Sequence, residues 1–300
     1  MSAVSGSRGS EMTQSSEAIL ANWNGELMPL SEVRVSVLDR SFLFGDAIYE
    51  VFRVYRGNLF LYQEHLDRLA RNLEKMELPV GIELLSQRIQ ETLAASQLQE
   101  ATIYLQVTRG EAPRSHTFPV PAPKPNVLIY VRPFRDPYSV QRVDGGKAIT
   151  IPDVRWRRCD IKSVNLLANT MGAEQARRAG CDEAIFVDDD GTLVEGTHSS
   201  LFGVRDGKIM TSPLGPQVLP GITRRMVVQL ASELQIPVIE QRLSRDSLST
   251  LDELFLTGTS TEVLPVVEVD GQQIGNGTRG PVVSRLQVAY QGFVERKCGK

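Results

Sequence analysis

Apolar positions along this chain recur in two rhythms, one of period two and one of three to four. In "EHLDRLARNLEKMEL", Leu66, Leu69, Leu73 and Met76 fall at helical spacing and predict one apolar helix face. "IELLSQRIQETLAAS" predicts a second helix. From Trp23 to Asn58 the pattern is mostly extended. There "EVFRVYRGNLFLY" predicts a hairpin, with Gly57 free to take a positive φ in the turn. "TIYLQVTRG" and "NVLIYVRPF" predict strands on either side of the loop "GEAPRSHTFP".

"RPFRDPYSVQRVDGGKA" breaks the rhythm with turn formers and charge, which marks a linker. Beyond it, "DIKSVNLLANTMGAEQARRAG" runs into a helix that Gly180 can end. "EAIFVDDDGTLVEG" and "SLFGVRDGKIMTS" predict strand pairs around Asp-Gly turns. "PGITRRMVVQLASEL" reads as a helix, "DELFLTGTSTEVLPVVEVDG" as mostly strand, and "RGPVVSRLQVAYQGFVE" as a closing helix. No internal repeat is evident. The expectation is a mixed α+β / α/β chain of two domains, 18–135 and 146–300, joined by a linker at 136–145. The Ser-rich residues 1–17 are expected to form a disordered tail.

Composition narrows the class without naming it. The chain has 300 residues, a formal net charge of -3 and 41% hydrophobic residues, enough for ample core. That charge balance gives no reason to expect nucleic acid or a membrane surface as partner. No apolar run has the length of a membrane span, and the first residues lack the apolar core of a secretory signal. Cys159, Cys181 and Cys298 make neither a disulfide framework nor a metal spacing, so reduced thiols and a cytoplasmic location are expected.

Several residues are candidates for chemistry. Lys162 stands among Ile161, Val164, Leu166 and Leu167. If buried, such a lysine becomes usable as an amine nucleophile; if not, it is a snorkelling lysine at a helix start. Glu195 follows a β-rich run and precedes small polar residues, where it can face a cationic ring nitrogen or sit solvated in a turn. Gly221, Ile222 and Thr223 open a helix whose free N–H groups suit a phosphate. "LTGTST" offers a second Gly/Thr turn for the same anion, and Arg68 a further cation. In the "GEAPRSHTFP" loop, Arg114 and His116 bring donors to a segment stiffened by proline.

Taken in order, these segments resemble the fold-type IV pyridoxal-phosphate (PLP) enzymes, the class IV aminotransferases. The segments "DRSFLFGDAIYEVFRVYRG", "EHLDRL", "VTRGEAPRSHTFP", "RCDIKSVNLL", "VEGTHSSLFGV", "LPGITR" and "LTGTSTEVLPV" occur in that family's order, from about Trp23 to the C-terminus. The resemblance implies a two-domain fold with PLP between the domains. It implies that Lys162 holds the cofactor and shuttles the proton, and that Glu195 lies beside the pyridine nitrogen. Arg68, Ile222, Thr223 and Thr259 would form the phosphate cup, with Ser260 beside it. The reaction implied is a ping-pong transamination through pyridoxamine phosphate.

Within the family, "PRSH" looks like the substrate-carboxylate trap of D-amino-acid aminotransferases, formed by Arg114 and His116. In those enzymes the loop comes from the other subunit of a homodimer. Tyr104 matches a further active-site position. Branched-chain aminotransferases carry a Tyr-x-Arg arrangement where this chain has "LQVTRG", which disfavours that identity. Phe42 stands where the D-amino-acid enzymes carry a tyrosine. A lost hydrogen bond to a charged group costs about 1.5–3 kcal/mol, so weaker carboxylate binding or an altered substrate range is implied. His198 and Ser200 are a second departure, with His198 expected to fill space near Glu195. The resemblance thus points to a D-amino-acid transaminase acting with a 2-oxo acid. The alternatives are an aminodeoxychorismate lyase, an (R)-amine or branched-chain transaminase, and, more remotely, a non-enzymatic binding protein.

Overall fold

The computed structural model describes residues 19–299; the tail expected at 1–17 lies outside them. The first half is built on one antiparallel sheet. Its elements are β1 (Leu20–Trp23), β2 (Glu26–Pro29), α1 (Arg40–Phe44), β3 (Ala47–Tyr55), β4 (Asn58–Leu59), α2 (Tyr62–Lys75), α3 (Ile82–Ser96), β5 (Ala101–Thr108) and β6 (Val127–Pro133). The strand order is β2-β1-β6-β5-β3-β4. Arg56 and Gly57 turn the β3–β4 hairpin, both at positive φ. The inner sheet face presents Phe52, Val54, Ile103 and Ile129 to Leu69, Leu73, Leu85 and Ile89 of α2 and α3. Full burial of each such side chain stabilises by about 1.5–3 kcal/mol.

The segment from Trp23 to Asn58 is less extended than its pattern suggests. Asp39 caps α1 by accepting a hydrogen bond from the Ser41 N–H, and Gly45 ends the helix in the left-handed region. Five residues are too few to show a helical rhythm.

The second half holds a sheet of ten strands. Its elements are α4 (Gln141–Asp144), β7 (Gly146–Pro152), α5 (Leu167–Arg178), β8 (Glu183–Val187), β9 (Thr192–Gly196), β10 (Ser200–Arg205), β11 (Lys208–Thr211), α6 (Ile222–Glu233), β12 (Val238–Glu240), β13 (Leu243–Ser244), β14 (Glu253–Gly258), β15 (Glu262–Val269), β16 (Gln272–Gln273) and α7 (Pro281–Cys298). The order is β12-β11-β10-β14-β15-β7-β8-β9-β13, with β16 beside β15. The β15–β7, β7–β8 and β11–β12 pairs are parallel and the others antiparallel, which completes the expected mixture of helix and sheet. Gly180, at positive φ, follows α5.

The stretch expected to be a plain linker carries the short helix α4. Its Arg142 pairs with Asp136 and lies 3.7 Å from Glu262 of β15. The two halves also share core: Tyr55 and Phe60 of the first pack with Phe255, Val283 and Tyr290 of the second. Tyr55 donates a 2.7 Å hydrogen bond to Glu262.

Candidate active site

A cavity of about 800 Å³, its open mouth included, is lined by residues of both halves. Lys162 lines it, on the segment that precedes α5. That segment is laid along β3: the Tyr49 N–H donates to the Lys162 carbonyl at 2.9 Å, and Ser163 bridges to Ile48. The half-buried ammonium sits 4.3 Å from the centroid of the Tyr49 ring and makes no ion pair among the described residues.

Glu195, at the end of β9, is buried in the same cavity. One carboxylate oxygen pairs with Arg155 and the other accepts the Leu219 N–H at 3.1 Å. Burial pushes its pKa up to about 7, against the pull of the Arg155 guanidinium. Arg155 is itself held by Asp153 in a two-pronged pair and lies 4.3 Å from the centre of the Phe186 ring.

Opposite lies a site suited to an anion. Helix α6 starts at Ile222, and its first intrahelical donor besides the cap is Arg225 N–H to Gly221. The N–H groups of Ile222 and Thr223 therefore have no helical acceptor and sit at the positive end of the helix dipole. Thr223 and Thr259 both line the cavity, as does Thr257, whose buried hydroxyl has no partner. Gly221 admits the close approach: a Cβ there would lie 2.7 Å from the Ser200 hydroxyl.

Arg68 of α2 completes this wall. Its guanidinium grips Glu50 of β3 through Nε at 2.7 Å and Nη2 at 2.9 Å, and Nη1 donates to the Pro220 carbonyl at 3.0 Å. His65 adds a 2.8 Å contact to the same carboxylate. Burial alone would raise the Glu50 pKa, but Arg68 and His65 overcome it and hold the carboxyl far below its usual range. Burial also lowers the pKa of His65, with Glu50 opposing. Arg68 is thus a cation fixed in place beside the start of α6.

The cavity brings together Lys162, Glu195, Arg68, Ile222, Thr223 and Thr259. Ser260, Tyr104, Phe42, Arg114 and His116 stand apart from its lining. The Ser260 carbonyl faces Arg142. Tyr104, on β5, is stacked between Tyr49 and Tyr130 with centroids at 5.7 and 5.1 Å, one ring removed from the cavity. Phe42 is 73% exposed on α1, and the aromatic ring beside the Lys162 amine is that of Tyr49. Arg114 and His116 are exposed, each resting on the Phe44 ring, with centroid distances of 5.2 and 5.5 Å. His198 does line the cavity, but its ring is held by Thr197 and Glu183 at 3.0 and 3.1 Å and by the Tyr138 hydroxyl at 2.9 Å.

Tyr49, Glu50 and Arg155 were not picked out from the sequence. Glu50 carried a readable signal. It shares a strand face with Ile48, Phe52 and Val54, so a carboxylate falls in the buried phase of β3. The assembled site offers a primary amine, a buried carboxylate and a dianion cradle in one enclosure.

Comparison with known proteins agrees with that chemistry. Residues 47–269 match the model of the amino-transferase class IV family. The D-alanine aminotransferase of Staphylococcus haemolyticus is 38% identical over 276 residues, 91% of this chain and 97% of that one. That of Bacillus licheniformis is 39% identical over 284 residues, covering 93% and 98%. Among solved structures, the branched-chain amino acid aminotransferase of Escherichia coli superposes with a TM-score of 0.86 at 31% identity, covering 91% and 93%. The branched-chain enzyme of Thermobaculum terrenum, in its PLP form, superposes at 0.80 with 25% identity, covering 93% and 94%.

Proposed function

This chain belongs to the class IV aminotransferases, and from that premise we propose a PLP-dependent transaminase that moves the amino group of a D-amino acid, such as D-alanine, to a 2-oxo acid such as 2-oxoglutarate. One observation carries the reading: Lys162, Glu195 and the α6 dianion cradle share one cavity. The D-alanine enzymes among the relatives support the choice of substrate, as does the Arg114-x-His116 loop.

The residues fit the cofactor. A phosphate dianion is matched by Arg68, the free N–H groups of Ile222 and Thr223, and the hydroxyls of Thr223 and Thr259; the unpartnered Thr257 hydroxyl gains an acceptor. PLP supplies an aldehyde that condenses with amines and a ring that draws electrons from the carbon bearing the amino group. Lys162 would hold that aldehyde and, when free, its amine would carry the proton to and from the substrate carbon. Glu195, when ionised, would accept a hydrogen bond from the ring nitrogen and favour its protonated form. Tyr49 covers one side of the lysine amine and limits where it can swing.

Arg114 and His116 recognise the substrate carboxylate, Arg114 by a paired hydrogen bond. They are exposed beside the exposed Phe118 and outside their own chain's cavity lining. This supports a homodimer in which loop 110–119 reaches the neighbouring site. Tyr104, one ring behind Tyr49, and the exposed Phe42 are read as further substrate-binding positions. The two sheets support the proposed division into domains 18–135 and 146–300. The cytoplasmic reading rests on the three free cysteines; no helix among the described residues is long and apolar enough to cross a membrane.

Pyruvate release from D-alanine under saturating 2-oxoglutarate tests the proposal. Turnover is expected, with Lys162→Ala losing both turnover and the borohydride-trapped cofactor. No product with any D-amino acid, together with turnover of an L-branched substrate, overturns the substrate assignment in favour of the branched-chain reading that the structural neighbours suggest.

A further inference from the structure

The tip of loop 110–119 is exposed, but its root is fastened by a buried ion cluster. Asp46 Oδ2 accepts from Arg40 Nε and from Arg109 Nε, each at 2.8 Å, and the three side chains are only 3–6% exposed. Both guanidiniums also reach the loop. Arg40 Nη1 donates at 2.6 Å to the carbonyl of Ser115, the residue between Arg114 and His116. Arg109 lies 3.6 Å from the centroid of the Phe118 ring, and its Nη1 and Nη2 donate to the Glu77 and Met76 carbonyls. Arg40 further covers the Phe44 ring at 4.7 Å, the same ring on which Arg114 and His116 rest.

The segment carrying Arg40 is tied at both ends. At one end the Arg40 N–H donates to the Gly110 carbonyl at 2.9 Å, and Asp39 accepts from Thr108 and Asn126 at 2.7 Å each. Burial would raise the Asp39 pKa, but these bonds and that from Ser41 prevail and lower it, so the anchor stays ionised. At the other end the Gly45 carbonyl accepts from Asn165, and Ala47 from the Val164 N–H, both at 3.2 Å. Residues 39–47 therefore run from the loop root to the Lys162 segment.

We propose that Arg40 is a positioning residue for recognition of the substrate carboxylate, acting through the Ser115 carbonyl and the Phe44 ring. This rests on the reading of Arg114 and His116 given above. Arg40 does not touch the substrate. Among the described residues it is the one side chain that binds Asp46, the backbone between the two recognition residues, and the ring under both. A planar guanidinium does this with separate donors in fixed directions; an ammonium does not.

The test uses the holoenzyme of Arg40→Lys, Arg40→Met, Phe44→Leu and, as reference, Arg114→Met. The readouts are kcat and KM for D-alanine and inhibition by propionate, which is D-alanine without its amine. Arg114→Met should raise KM and the propionate inhibition constant at least about tenfold, the equivalent of one charge-assisted hydrogen bond. Arg40→Met and Phe44→Leu should raise both constants in parallel, with kcat within about threefold of the parent. Arg40→Lys keeps the charge beside Asp46 and should remain as impaired as Arg40→Met. If Arg114→Met is impaired while Arg40→Lys and Phe44→Leu match the parent, Arg40 merely neutralises Asp46 and the proposal fails. If Arg114→Met itself matches the parent, the carboxylate reading of the loop fails. Loss of cofactor absorbance in both Arg40→Lys and Phe44→Leu also overturns the proposal, because the cluster would then support the fold rather than the loop.

Discussion

Replacing Glu50 by glutamine tests how the cavity's fixed cation is held. Glu50 is fully buried and accepts two bonds from Arg68 and one contact from His65. Glutamine keeps the shape but removes the charge and turns one acceptor into a donor that faces another donor. The Arg68 guanidinium, 4% exposed, is left as an uncompensated buried charge. Removing one partner of a buried pair costs about 3–5 kcal/mol, a large share of the roughly 5–15 kcal/mol that holds a domain folded. At roughly 2–4 °C per kcal/mol for chains approaching this size, the apoprotein should melt about 6–20 °C lower. Thermal denaturation of apoprotein at pH 7, with and without inorganic phosphate, measures it. The deficit should narrow with phosphate, because an anion at the α6 start restores a partner to Arg68. It should also narrow in the Glu50→Gln, Arg68→Met double variant, which buries neither charge. The Glu50 carboxyl titrates below its unfolded range, so its contribution is present above that range and is lost on acidification. Glu50→Gln should therefore flatten the acid limb of the stability profile. A melting temperature within about 1–2 °C of the parent, less than 1 kcal/mol on the same scale, would refute the claim that this ion pair holds Arg68.

Two further outcomes follow. Lys162→Ala and Arg114→Met should each be inactive or severely impaired alone, yet mixing the two under exchange conditions should restore activity through hybrid dimers bearing one intact site. No recovery in a verified hybrid would show that the loop does not act across the dimer. Glu195 gives the opposite pH sign to Glu50. Its folded pKa of about 7 exceeds the ordinary 4.5, so its stabilisation of the apoprotein is complete below pH 4.5 and lost as pH rises through 7. The difference is roughly 3 kcal/mol at about 1.36 kcal/mol per unit; denaturant titrations across that window should show the slope, and Glu195→Gln should lack it.

The difference in what could be read from the sequence comes down to local versus distant determinants. Lys162, Glu195, Ile222, Thr223 and Thr259 sit in short segments that each also admit a bland reading, such as a plain helix start after Gly221, and it is the family order of those segments that points to their chemistry. The helices α2, α3 and α7 were legible because their apolar faces repeat over several turns. Strand β7 was not, because its pattern is brief and mixed, and α1 is only five residues long. Arg155 was missed because its partner Glu195 is 40 residues away, and no local pattern encodes that meeting. His198 lines the same cavity as Glu195, as expected of it, while the partners that hold its ring, Glu183 of β8 and Tyr138 in the linker, are distant in sequence and were not legible.

Tyr49 and Glu50 show how one backbone property decides two parts of the site. They are neighbours on β3 and point to opposite faces. Glu50 goes inward to anchor Arg68, while Tyr49 meets the lysine amine. Their register is seen in the pairing with β5, Tyr49 opposite Gln106 and Glu50 opposite Leu105. A slip of one residue would exchange the two faces, exposing the carboxylate to the cavity and burying the phenol in the core. The placement of the Arg68 cation and the surroundings of Lys162 therefore depend on the same strand register. That register is specified mainly by the apolar residues Ile48, Phe52 and Val54, which have no part in the chemistry.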